Sequence, residues 1–144
     1  MQLSKYFTLE EVINSQTATR RGLDNTPPED VKINLALTCH SADAVREFLG
    51  KPMLVSSGYR SPAVNAAVGG AQRSAHMLGY ALDFISPAFG TPEEIVKAVC
   101  KSDIDFDQII MEGTWVHLSF APAMRRQALV KTSQGLVPAG EDYA

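Results

Sequence analysis

Hydrophobic periodicity changes character once along this chain, near Pro52. Before it, apolar residues recur at helical intervals; after it, they alternate or run together as strands do. Thr8 followed by Glu11 forms a capping-box pattern, which predicts a short helix starting there. Gly22 to Pro28 reads as loop, and Pro28 suits the first turn of a long helix running to about Leu49. Val31, Leu35, Cys39, Ala42, Val45 and Leu49 form its apolar stripe, and Gly50 stops it. His40 lies on that helix away from the stripe.

The second half reads differently. Met53 to Ser57 is a predicted strand, and Gly58 to Pro62 the turn leaving it. Ala63 to Val68 is a short helix closed by Gly69-Gly70. Tyr80 to Ile85 is an apolar run of strand length, and Pro87 to Gly90 a loop. Thr91-Pro92-Glu93-Glu94 starts a helix to about Cys100, with proline first and acids in the opening turn. Phe106 to Glu112 and Trp115 to Phe120 pattern as a β-hairpin, and Gln127 to Val130 as a last strand. Helices first, then a small, mostly antiparallel sheet flanked by helices, make the fold class α+β.

Composition narrows the function classes. At 144 residues, 45% apolar and 20% charged, the chain is expected to form a single domain, 1–144, whose polar tail frays from about residue 133. A net charge of -3 argues against nucleic acid as a partner. The pairs Arg20-Arg21 and Arg125-Arg126 read as solvated faces. No signal-peptide pattern and no apolar run of about 18 residues is present, so the expectation is a product made in the cytoplasm with no membrane association. Nothing in the pattern points beyond a monomer. Cys39 and Cys100 fall in predicted helices and read as buried free thiols rather than a disulfide.

Asp83 is the residue that departs from this bland picture. It sits inside an apolar strand, where an unpaired carboxylate is costly, so it needs a partner. His76, seven residues earlier, and His117 complete a set that a metal ion would use: zinc accepts imidazole nitrogen and carboxylate oxygen, and a catalytic site keeps one position open. Alternation puts Trp115, His117 and Ser119 on one face of their strand. If Gly113-Thr114 is a two-residue turn with glycine at the positive-φ position, Glu112 pairs with Trp115 and Ile110 with His117. Glu112 then shares the face of His117, one diagonal step or roughly 7–8 Å away. That distance suits a general base acting on metal-activated water rather than a metal ligand; the alternative is an exposed turn glutamate. Arg60 is either a surface arginine in a turn or a cation for an oxyanion or a substrate carboxylate. Ser74 is either a loop cap or a donor to substrate.

Ser57-Gly58-Tyr59-Arg60-Ser61-Pro62 with Asn65, Gly69-Gly70, Ser74-Ala75-His76 with Gly79, Ala81 and Asp83, and Trp115-Val116-His117 resemble the zinc D-alanyl-D-alanine carboxypeptidase-like peptidases. That group includes D-Ala-D-Ala carboxypeptidases and dipeptidases and phage L-alanyl-D-glutamate endolysins. Ser4 to Thr8 also looks like the start of the phage and prophage branch. The resemblance implies a hedgehog/DD-peptidase-like fold and Zn2+ held by His76, Asp83 and His117. It gives transition-state stabilisation to Arg60, a substrate contact to Ser74, and bacterial cell-wall peptides as substrate. Many members carry the base three residues before the last histidine, where this chain has Thr114, which leaves Glu112 as the carboxylate for that role. The expected place of action is the bacterial cell wall, reached after phage-mediated release. The reading from another class is a virion, tail or wall-binding module that keeps the zinc fold without turnover.

Overall fold

The computed structural model describes all of residues 1–144. Five α-helices precede or interrupt a six-stranded sheet. Helix α1 (Leu9–Ile13) starts at the expected capping box, with Thr8 Oγ1 accepting the Glu11 N–H and the Glu11 carboxylate accepting the Thr8 N–H. Helix α2 (Gln16–Arg21) was not anticipated. The Ser15 hydroxyl caps it and Gly22 closes it, a start and stop pair that six residues of weak periodicity do not advertise. Helix α3 (Glu29–Leu49) buries the whole predicted stripe, Val31 to Leu49, in the main core.

Strand β1 (Leu54–Ser57) leads through a tight loop into α4 (Pro62–Ala67), capped by the Ser61 hydroxyl. A 3-10 turn, Ala75–Leu78, comes before β2 (Ala81–Ile85), and α5 (Pro92–Lys101) follows with its own capping box at Thr91 and Glu94. Then come β3 (Gln108–Met111), β4 (Val116–Ser119), β5 (Gln127–Thr132) and β6 (Gly135–Pro138). The strand order is β1-β2-β4-β3-β5-β6. Every pairing is antiparallel except β3 with β5. The class is α+β, with a mixed sheet that is mostly antiparallel. One sheet face, through Leu82, Phe84, Ile109, Val116 and Leu118, packs on α3 and α5 in a core of 20 buried residues. Alternation then turns Asp83 and His117 to the opposite face.

One expectation is corrected. The tail does not fray from residue 133: β6 pairs antiparallel with β5, and Tyr143, in a closing 3-10 turn (Glu141–Tyr143), packs against the core. Gly135, at φ +107°, reverses the chain there, and the apolar pair Leu136-Val137 stays exposed and is too short to show a period. Arg125 and Arg126 are exposed, as expected, and each is also paired. Arg125 grips Asp107, and Arg126 donates to the carbonyls of Cys100, in the last turn of α5, and of Ser102 and Ile104 after it, while lying 4.9 Å over the Phe106 ring. Cys39 and Cys100 are free thiols, and burial pushes the Cys39 thiol up to about 12. No helix is long and apolar enough to cross a membrane.

Candidate metal centre

Register builds the site. Pairing of β2 with β4 sets Asp83 directly opposite His117, and β1 with β2 sets Ser57 opposite Asp83. His117 Nδ1 lies 3.0 Å from Asp83 Oδ1. The same oxygen is 3.1 Å from His76 Nε2, delivered by the 3-10 turn just ahead of β2. The three ligand atoms lie within 4.8 Å of one another.

The loop after β1 orients these groups. His76 Nδ1 stands 2.6 Å from the Gly58 carbonyl. A carbonyl only accepts, so Nδ1 carries the proton, which leaves Nε2, the nitrogen facing Asp83, as the one able to ligate a metal. Outer hydrogen bonds of this kind are how metal-binding histidines are held in one tautomer. The Arg60 N–H returns a bond to the His76 carbonyl at 3.2 Å, locking loop and turn together. Asn25, unmarked in the sequence, brackets the loop, donating to the carbonyls of Ile13 and Tyr59 and accepting the Ser61 N–H. Gly58 must lack a side chain, because a Cβ there would stand 2.2 Å from the Val12 carbonyl oxygen.

Electrostatics follow from burial and neighbours. Burial alone would raise the Asp83 carboxyl, but hydrogen bonds from His117 and His76, with their charge, hold it well below the usual carboxylate range. Arg60 is mostly buried. Desolvation lowers its pKa, and the charges of Asp83 and Glu112 oppose that change. Arg60 Nη2 is 3.8 Å from Asp83 Oδ2.

Beside this group opens a cleft of about 520 Å³, floored by Ser56, Ser57, Arg60 and Asp83, with Trp115 at one end. Its far wall, Asn14 to Thr17, comes from the unexpected α1–α2 corner. The β3–β4 register is the expected one: Ile110 opposes His117, and the Glu112 N–H bonds the Trp115 carbonyl at 3.0 Å. Gly113, at φ +97°, makes the turn. Glu112 is mostly shielded and lies 4.0 Å from Lys131 Nζ. Ser74 caps the 3-10 turn, its hydroxyl accepting the His76 N–H at 3.2 Å, and does not line the cleft. His40 is exposed on α3, outside the site.

The donor set suits a metal ion. Ligands 2.0–2.1 Å from a tetrahedral zinc stand roughly 3.3 Å from one another, close to the two histidine–aspartate separations. A cation between them would take the place of the protons through which the two histidines otherwise bond Asp83. Such donors, next to an open cleft lined in part by an arginine, suit metal-assisted hydrolysis. Comparison with known families agrees: the Peptidase M15 profile matches residues 5–119, and the chain belongs to that family. His76, Asp83, His117, Arg60, Glu112 and the cleft lining all fall inside the match, so the protein is placed among the metallopeptidases. No curated protein matches the chain.

Proposed function

We propose that this protein is a zinc peptidase that hydrolyses peptide bonds in the stems or cross-bridges of bacterial peptidoglycan. In this reading residues 1–144 form one domain of the hedgehog/DD-peptidase kind, monomeric, working at the cell wall as a phage-type endolysin does. The observation that carries it is the convergence of His76 Nε2 and His117 Nδ1 on one oxygen of Asp83, with His76 held in the ligating tautomer by Gly58.

His76, Asp83 and His117 would hold the zinc. When bound, it supplies Lewis-acid polarisation of the scissile carbonyl and acidifies the attacking water. Glu112, on the site face of the hairpin, takes the proton from that water and passes it to the leaving amine. The Arg60 guanidinium, on the cleft floor, faces the carbonyl oxygen as negative charge develops. Ser74, whose oxygen caps the turn that carries His76, would meet only a part of the substrate that extends beyond the cleft lining. The cleft wall of Asn14 to Thr17 offers amide and hydroxyl groups to a peptide backbone.

Digestion of purified muropeptides, read by mass spectrometry with and without a chelator, tests this reading. Cleavage that a chelator abolishes and zinc restores is expected, and the products identify the bond and separate carboxypeptidase from endopeptidase action. Thr114, at the position where many relatives of this kind carry the base, favours one other reading, a non-catalytic zinc module of a virion or wall binder. Stoichiometric zinc with no cleavage of any muropeptide would establish that instead.

A further inference from the structure

Asn65 and Gly70 recur in the motif set but carry no part of the reaction described so far. Asn65 is only 4% exposed although it bears a primary amide. Its Oδ1 accepts from Arg60 Nη1 at 3.1 Å, and its Nδ2 donates to the Ala71 carbonyl at 2.9 Å. A guanidinium only donates and a carbonyl only accepts. A side chain joining them must therefore accept at one end and donate at the other. An amide does both; a carboxylate or an alkyl group of the same size does not.

The remainder of the guanidinium is thinly held. Arg60 Nε is buried without a hydrogen-bond partner, and Nη2 reaches Asp83 only at 3.8 Å. Asn65 is therefore the hydrogen bond that fixes its direction. Gly70 completes the seat: a Cβ there would stand 2.1 Å from Asn65 Oδ1 and 2.6 Å from Arg60 Nη1. Its φ lies outside the left-handed region, so the objection to a side chain is lack of space.

We propose that Asn65, seated against Gly70, is a positioning residue that aims the Arg60 guanidinium into the cleft. The role rests on the peptidase reading for its effect on turnover, though the contact itself does not. The test compares wild type with Asn65→Leu and Gly70→Ala in three measurements: bound zinc, kcat and KM on purified muropeptides, and arginine side-chain 15N NMR. Zinc should stay stoichiometric and KM change by less than about twofold, while kcat falls by roughly 10²-fold as the cation is misplaced. The Arg60 Nη signals, kept separate by hindered rotation in wild type, should merge in both variants. In an Arg60→Ala background, Asn65→Leu should remove nothing further.

Arg60 signals that remain separate in both variants would overturn the proposal. So would an undiminished kcat, or an equal loss on top of Arg60→Ala. Gly70→Ala, one methyl larger than wild type, carries the same expectations if Asn65→Leu does not fold. A wild-type protein inactive on every muropeptide would overturn the peptidase reading alone, because the NMR comparison still decides whether Asn65 holds Arg60.

Discussion

Asp107 and Asp83 are both buried aspartates that face an arginine, and they are satisfied to very different degrees. Asp107 receives Arg125 Nε and Nη2 at 2.9 Å each, and the Arg125 backbone N–H at 3.1 Å. Asp83 meets Arg60 at 3.8 Å, while the Arg60 Nε, on the same edge that Arg125 uses, has no partner. The first pair is a closed fork that joins the start of β3 to the start of β5. The second leaves its arginine without a fork to the carboxylate beside a cleft and turns that carboxylate to two histidines. Charged groups that are fully paired maintain architecture; those left underpaired at a cleft floor are available to a cation and a substrate.

Removing a donor at the open site should separate the two regions most sharply. His76→Ala is expected to lose bound metal and at least ~10³-fold in peptide cleavage, because a three-ligand site has none to spare; elemental analysis beside the muropeptide assay checks both. Glu112→Ala should keep its zinc and lose about 10²–10⁴-fold in kcat, the usual contribution of a general base. Full activity in that variant would remove Glu112 from the mechanism.

The closed fork should respond in stability instead. Asp107→Ala is expected to cost about 1.5–3 kcal/mol, the range for hydrogen bonds to charged groups, with unchanged zinc content and kcat; denaturant unfolding measures it. Hydrogen bonds from Arg125 hold the Asp107 carboxyl below the usual carboxylate range. A depressed folded pKa contributes stability above the unfolded value, about 3.9, and that contribution is lost as pH falls through the folded pKa. The thermal midpoint of wild type should therefore drop more steeply below about pH 4 than that of Asp107→Asn. Thr91→Ala, which removes half of the α5 capping box far from both pairs, should cost about 1 kcal/mol and leave cleavage untouched. A larger effect on kcat there would mean that the site depends on general rigidity rather than on its own hydrogen bonds.

Local rules carried the sequence reading a long way. The capping pattern at Thr8, the stripe on α3 and the Gly113-Thr114 turn are short-range features, and each appears where the residues placed it. The misses have physical causes too. Helix α2 is too short for periodicity, β6 offers only the exposed pair Leu136-Val137, and the parallel β3–β5 contact joins strands with β4 between them in the sequence. Arg125 looked like surface charge because its partner, Asp107, is 18 residues away.

The sequence by itself determined which donors exist, which face of each strand they occupy, and that a buried aspartate needed a cation. Only the tertiary structure decided that one oxygen of Asp83 takes both histidines, that Gly58 sets the tautomer of His76, and that Asn65 holds Arg60. Side-chain period is a property of one strand and can be read residue by residue. The pairing of β2 with β4 and the packing of one loop on another depend on chain segments brought together from tens of residues apart, and nothing local encodes that distance.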